Sequence, residues 1–139
     1  MTAAPGDLPH DVLDRVRAIC TALPEVVEEE AWSGVRWTVR RRNFAHVVAI
    51  ADGWPPAYAQ AAGTDGPASV ITFRCPLDDV EAHRAAGPPF FVPVWFPNIV
   101  GLVVDGATDW AEVAELLVES YRELAPQRLT DRIGADEDP

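Results

Sequence analysis

The chain has 139 residues, of which 48% are hydrophobic, and a net charge of −11 from 11 basic and 22 acidic side chains. The length suits one domain, and the hydrophobic fraction is too high for a disordered protein. The acidic total argues against non-specific binding to nucleic acids and against binding to anionic membranes.

The apolar pattern covers residues 8–129, whereas both ends are small and polar. This predicts one domain over 8–129 with flexible tails at 1–7 and 130–139. No apolar run has the 18 or more residues that a bilayer-spanning helix needs. The first residues lack a basic segment followed by an apolar one, so we expect no signal peptide and a cytoplasmic protein.

Three segments have apolar residues at helical spacing, which predicts helices near 9–22, 76–86 and 109–124. Asp109, followed three residues later by Glu112, resembles a capping box at the start of the last helix. Between the first helix and the strands, residues 24–32 are rich in glutamate and predict an acidic loop or a helical turn. Residues 52–68, rich in Gly, Pro and Ala, predict a loop with at most one helical turn, at Tyr58–Ala62.

Alternation of apolar and polar residues predicts strands. Val35, Trp37 and Val39 alternate with Arg36, Thr38 and Arg40, and an apolar run follows after a short break. Two strands separated in this way form an antiparallel hairpin. If a residue of its turn has a positive φ, we expect it to be Asn43. The predicted strands after the first are Phe44–Ala51, Val70–Cys75, Phe90–Phe96 and Asn98–Val104.

The order of elements lacks a regular β-α-β alternation. We therefore predict an α+β fold, with an antiparallel sheet of four to six strands and helices packed on one face. Residues on the apolar faces of different elements should then share one core. The residues predicted to do so are Trp37, Phe73, Leu102, Trp110, Leu117 and Tyr121.

Several segments, read in order, carry a resemblance to a known family. They are Leu23–Val26, Val39–Ala45, Gly101–Asp105, Thr108–Val113 and Glu119–Pro126, the last containing an adjacent serine and tyrosine. Together they resemble the MmcQ/YjbR-like family over about Leu8 to Leu129. The resemblance implies a CyaY-like, that is frataxin-like, α+β fold, and family members are commonly labelled DNA-binding through a double-wing arrangement. Where the family hairpin usually has Gly-Lys, this chain has Arg41-Arg42.

A cluster of basic residues is the first candidate site. Arginines occur four times between Val35 and Ile50 with no acidic residue among them, and strand alternation places Arg36 and Arg40 on the face opposite Trp37. A cationic sheet face could hold phosphates through bidentate contacts. Alternatively, the arginines are solvated or pair with the Glu28–Glu30 cluster. The candidate nucleic-acid-binding residues are Arg36, Arg40, Arg41, Arg42, Asn43, His46 and Arg74.

Tryptophans are the second candidate. The chain has five, of which Trp32, Trp54 and Trp95 fall in predicted loops or at a sheet edge. These three could stack on bases or line a ligand pocket, or they could cap the ends of a small core.

Nothing in the sequence forms a catalytic group or a metal site. The histidines lack ligand spacing, Ser120 lies within a helix without a nucleophile turn, and Cys20 and Cys75 fit buried reduced thiols. We predict no cofactor, no bound metal, no disulfide and no enzyme activity. The acidic Glu28–Glu30 cluster fits a solubilising role.

Two hypotheses for function follow. In the first, the protein binds DNA through the basic hairpin and sheet face. In the second, it binds a small anionic ligand or a protein through an aromatic pocket. In both cases we expect a monomer or a weak dimer.

Overall fold

The computed structural model of the protein describes residues 10–93 and 97–133. These residues form five helices and six strands. The helices are α1 (His10–Thr21), α2 (Pro56–Ala62), α3 (Leu77–Ala86), α4 (Trp110–Leu124) and α5 (Gln127–Thr130). The strands are β1 (Val27–Glu30), β2 (Val35–Val39), β3 (Arg42–Ile50), β4 (Ala68–Arg74), β5 (Phe90–Phe91) and β6 (Ile99–Val104).

The strands make one sheet in the order β1-β2-β3-β4-β6-β5, and every neighbouring pair is antiparallel. This confirms the predicted α+β class, and α1, α3 and α4 lie within two residues of their predicted bounds. Asp109 caps α4, since its carboxylate accepts hydrogen bonds from the amides of Ala111 and Glu112. Within the described ranges, no helix is both long enough and apolar enough to cross a bilayer.

The main core lies between the sheet and helices α1 and α4. The six residues predicted to share a core do so: five are buried, and Trp110 packs at its border, partly exposed. Both cysteines are buried free thiols, as predicted. The folded part continues past 129, because Ile133 also packs against this core. Residues 1–9 and 134–139, which include most of the predicted tails, lie outside the described residues.

A smaller apolar cluster covers one end of the opposite sheet face. Val48, Ile50 and Val70 pack there against α2, for which the sequence predicted at most one helical turn. The Phe91 ring completes this cluster by lying over β6 at Gly101, where a Cβ would stand 2.1 Å from the ring. A side chain at position 101 would therefore have to displace the Phe91 ring.

Two predicted element assignments were wrong. Residues 27–30 form an edge strand instead of an acidic loop or helical turn, and all four side chains of β1 are exposed. An edge strand exposed on both faces shows no apolar alternation, so the period-two signal is missing. The strand predicted at Phe90–Phe96 is a strand only at Phe90–Phe91, and residues 94–96 lie outside the described ranges.

The β2–β3 hairpin also differs from its prediction. Its positive-φ residues are Arg40 (52°) and Arg41 (67°), not Asn43. Two consecutive positive φ values between paired strands are typical of a type I′ turn, whose twist matches that of the strands. Arg40 is therefore a turn residue and does not share the strand face of Arg36. A bulge follows, and Phe44 and Ala45 both join the main core.

Candidate functional site

The predicted basic face is partly present. Arg36, His46 and Thr72 are aligned across β2, β3 and β4, and Arg74 lies two residues further along β4 on the same face. This is the face opposite α1 and α4. Arg74 therefore lies on the same sheet face as Arg36, as the candidate site requires, whereas Arg40 lies in the turn and not on this face.

Most of this positive charge has a partner within the protein. Arg36 Nε lies 2.8 Å from Glu29 Oε1, and Arg40 lies 3.3 Å from Glu25 Oε1. Glu29 belongs to the acidic cluster, and it is brought beside Arg36 because β1 pairs with β2. The structure therefore matches the internal-pairing alternative for Arg36.

Arg74 is also engaged by uncharged groups. Its Nε donates to the carbonyl oxygen of Asn43 at 2.9 Å, and a guanidinium nitrogen donates to Asn98 Oδ1 at 3.1 Å. Burial, together with the nearby charge of Arg42, lowers the pKa of Arg74.

Arg41 and Arg42 are exposed at the hairpin tip. Neither forms an ion pair with any carboxylate in the described part of the chain. The positive charge of Arg41 and Arg42 is therefore not paired with a carboxylate of the described residues, whereas the charge of Arg36 on β2 is paired with Glu29.

Two of the three candidate tryptophans meet on the surface. Trp32 and Trp54 have ring centroids 5.3 Å apart with ring planes at 45°. Trp32 is 81% exposed and Trp54 is 47% exposed, whereas Trp37 is fully buried. Trp95 lies outside the described residues.

Tight turns hold each tryptophan of this pair. Trp32 and Ser33 form the tip of the β1–β2 hairpin, where the amide of Ala31 donates to the carbonyl of Gly34. Gly34 has φ 82°, and a Cβ there would stand 1.9 Å from the Val47 carbonyl oxygen. Only glycine allows this close approach, so the position of Trp32 is set by the backbone.

Trp54 follows a similar turn at the end of β3. Asp52 and Gly53 both have positive φ, and the backbones of Ala51 and Trp54 exchange two hydrogen bonds of 3.0 Å. The Asp-Gly dipeptide between an apolar strand and Trp54 is a recognised signal for such a turn. Sequence reasoning missed this signal.

His46 links the Trp32 turn to helix α2. Its Nε2 lies 2.6 Å from the Ser33 carbonyl oxygen, which can only accept, so Nε2 carries the proton. Nδ1 then accepts from the Tyr58 hydroxyl at 3.0 Å. Burial lowers the pKa of His46; the Ser33 hydrogen bond opposes this shift, and Arg36 adds to it. A neutral His46 thus ties the Trp32 turn to α2, which begins just after Trp54.

The described residues offer little for catalysis or metal binding. Within 10–93 and 97–133, no three His, Cys, Asp or Glu side chains converge on a possible ion position. Burial raises the pKa of Cys75 to about 11 and raises that of Cys20 as well, so neither is a ready nucleophile. Ser120 is fully buried and hydrogen-bonded to the sheet backbone.

Comparisons with known proteins agree with this fold. The model of the YjbR family matches residues 21–123. A Deinococcus radiodurans protein with a DUF419 domain superposes with a TM-score of 0.62 and 18% identity, covering 88% of this chain and 87% of its own. A Pseudomonas syringae protein gives a TM-score of 0.60 and 13% identity, covering 85% of this chain and 100% of its own. No curated protein matches the sequence. Since the family model covers well over half of the sequence, the chain belongs to the YjbR family.

Proposed function

We propose that the protein is a binding domain without catalytic chemistry of its own, and that it binds a cationic partner at Trp32 and Trp54. One observation carries this proposal: two indoles whose ring centroids lie 5.3 Å apart are 81% and 47% exposed. Isolated exposed apolar residues are ordinary, but adjacent large aromatic side chains are enriched where proteins bind partners.

The chemistry of the surface favours a positive charge in the partner. The face of an indole attracts cations, and this protein already uses that attraction, since Arg15 lies 5.2 Å from the centre of the Trp110 ring. No arginine of the described residues occupies the same place over Trp32 or Trp54. Glu30 and Asp52 are exposed close to these tryptophans in sequence, and the net charge is −11.

The shape favours a protein over a small molecule. Small ligands usually have 70–90% of their own surface buried in a concave site. A side chain as exposed as Trp32 instead suits an anchor that inserts into a partner's surface. We therefore expect the partner to be a protein segment that presents arginine or lysine side chains.

The test uses the five indole N–H signals in an NMR titration. The probes are a blocked peptide with three arginines and the same peptide with three citrullines, which keep the shape without the charge. We expect the arginine peptide to shift the signals of Trp32 and Trp54 and to leave that of buried Trp37 unchanged. Removing both indoles by Trp32→Ala and Trp54→Ala should weaken binding about 10-fold or more, since each cation–π contact contributes roughly 0.5–2 kcal/mol. Because this variant lacks the two reporting indoles, its affinity is compared with that of the unaltered protein through the backbone amide signals.

The matched control is Leu77→Ala, which removes a 61% exposed apolar side chain from another element. It should leave the affinity unchanged. Equal shifts with both peptides, or arginine-induced shifts that survive the double substitution, would contradict the proposal.

DNA binding is a second candidate, favoured by the hairpin tip. Arg41 and Arg42 are exposed without a carboxylate partner in the described ranges, and Arg74 behind them has a lowered pKa. An anion at this position would relieve the repulsion between Arg42 and Arg74. The rest of the predicted surface supports DNA less well, because Arg36 and Arg40 already pair with glutamates.

A fluorescence anisotropy titration with duplex DNA at two salt concentrations tests this candidate. We expect Arg41→Ala with Arg42→Ala to weaken binding for every sequence and to reduce the salt slope by about 1–2 units. Arg84→Ala on α3 is the control, since Arg84 pairs with Glu81 away from the hairpin. A dissociation constant above about 100 μM at low salt would rule out DNA as the partner.

A further inference from the structure

A cavity lies at the β6 end of the sheet and shares no residue with the aromatic pair. It has a volume of about 730 Å³. Its walls are the C-terminal end of α2, the edge formed by β5 and β6, and the first turn of α4. Cavities of about 300–1,000 Å³ are typical of small-molecule sites.

The lining of this cavity is mostly apolar. Phe90 and Phe91 from β5, Leu102 and Val103 from β6, and Val113 from α4 contribute to it. Prolines from the segment before β5 continue the same wall. A ligand that fills this space therefore needs an apolar body, which is stabilised by roughly 25 cal/mol for each Å² removed from water.

The charged groups of the lining all have one sign. Asp105, Asp109 and Glu112 line the cavity, and among the described residues no basic side chain does. Asp105 Oδ1 accepts from the Ala107 amide, and Asp109 Oδ1 caps α4. These bonds fix the position of both carboxylates and leave the second oxygen of each without a hydrogen bond within the described ranges.

The N-terminus of α4 also lies at the cavity, and its partial positive charge opposes the negative charge of the carboxylates. A helix dipole is equivalent to about half an elementary charge at its N-terminus. Three carboxylates outweigh it, so the cavity has a net negative charge. The carboxylates would repel an anionic ligand, and a neutral ligand would form no ion pair with them.

We propose that this cavity binds a small molecule with an apolar body and a cationic amino group. The apolar body lies against β5 and β6, and the ammonium group lies among Asp105, Asp109 and Glu112. This site is independent of the surface at Trp32 and Trp54, so either can fail without the other.

The test compares three probes that share one apolar body: 4-phenylbutylamine, 4-phenylbutanol and 4-phenylbutyrate. Backbone amide shifts in the full chain report binding and its location. We expect the amine to shift amides of residues 102–108 and to bind at least tenfold more tightly than the alcohol. The carboxylate should show no binding at these residues.

Two variants test the roles of charge and of space. Asp105→Asn with Glu112→Gln keeps the shape but removes two charges, and should reduce the preference for the amine over the alcohol about tenfold. Ala107→Phe places a ring at the mouth and should abolish binding of all probes. Glu115→Gln, which removes a charge from the same helix at a residue that does not line the cavity, is the control and should change nothing.

The amide spectrum of each variant shows whether that variant folds. If a variant does not fold, the comparison of the three probes on the unaltered protein still tests the proposal. Equal affinity for the amine and the alcohol would overturn the proposal. Amine-induced shifts scattered over the acidic surface, or binding that survives Ala107→Phe, would do the same.

Discussion

Ser120 and Tyr121, adjacent residues in α4, hold the helix to the rest of the protein. Ser120 Oγ donates to the Phe44 carbonyl at 2.5 Å and accepts from the Arg74 amide at 2.7 Å. The Tyr121 hydroxyl donates to the Pro24 carbonyl at 2.7 Å. Ser120 therefore bonds to the backbones of β3 and β4. Phe44 is the bulge residue of β3, so Ser120 satisfies a backbone group that the bulge removes from the ladder.

This role gives a prediction for stability. Ser120→Ala leaves a buried carbonyl and a buried amide without partners, and it should lower the free energy of unfolding by about 2–4 kcal/mol. Urea denaturation measures the change. The neighbouring exposed substitution Glu119→Ala should cost less than about 1 kcal/mol. A cost below about 1 kcal/mol for Ser120→Ala would show that water replaces the hydroxyl.

His46 gives a prediction for pH. Burial lowers its pKa in the folded state below the ordinary histidine value of about 6.5. Below pH 6.5 the unfolded chain therefore binds more protons at this residue than the folded one, and the free energy of unfolding falls as the pH falls. The contribution is fully present above about pH 6.5 and is lost as the pH drops through the folded pKa.

Denaturation of the unaltered protein and of His46→Gln at pH 7.5, 6.5 and 5.5 tests this. The glutamine variant should lose less stability over this interval. Parallel pH profiles for the two proteins would show that another group causes the loss.

At the scale of elements, the apolar periodicity of α1, α4 and the central strands was sufficient to predict them. β1 and α2 were not predictable in the same way. β1 is an exposed edge strand containing three glutamates, and it is held by backbone pairing with β2. α2 has seven residues and buries only Ala59, which is too little for a helical apolar stripe.

The candidate site was also predictable only in part, because some of its contacts depend on β1. The alternation of β2 and β4 placed Arg36 and Arg74 correctly on one face. The glutamates that pair with Arg36 and Arg40 come from segments whose position depends on β1, which was missed. The contact between Trp32 and Trp54 joins two turns that are 22 positions apart, and no local pattern specifies such a contact.

The hairpin turn gives a prediction at this scale. Arg41 has φ 67°, a conformation that glycine adopts without strain. Arg41→Gly should therefore raise the free energy of unfolding by up to about 1 kcal/mol. Arg42→Gly is the control, because Arg42 lies within β3, and it should lower stability by about the same amount. Thermal denaturation of the two variants distinguishes them, and a destabilising Arg41→Gly would contradict the turn assignment.

For the whole molecule, negative charge exceeds positive charge. The chain carries 22 acidic and 11 basic side chains. Among the described residues, most ion pairs join an arginine to a nearby glutamate on an exposed surface. Exposed pairs each contribute only about 0–1 kcal/mol. The remaining acidic groups repel one another, and that repulsion acts over the whole surface.

Salt should therefore stabilise the protein at neutral pH. Raising NaCl from 20 to 200 mM shortens the screening length to below about 10 Å, which weakens long-range repulsion more than ion pairs in contact. We expect the melting temperature at pH 7.5 to rise by about 2–5 °C, equivalent to about 1 kcal/mol for a chain of this size. Differential scanning calorimetry measures the shift.

The control is the same salt series near the isoelectric point of about 4.5. There the net charge is close to zero, so salt screens mainly the attractive pairs, and the melting temperature should stay constant or fall. A fall with salt at pH 7.5 would mean that the arginine–glutamate pairs stabilise the fold more than the excess of carboxylates destabilises it. A rise with salt at pH 7.5 would also favour a cationic partner. Such a partner, like salt, would weaken the repulsion between the carboxylates on the protein surface.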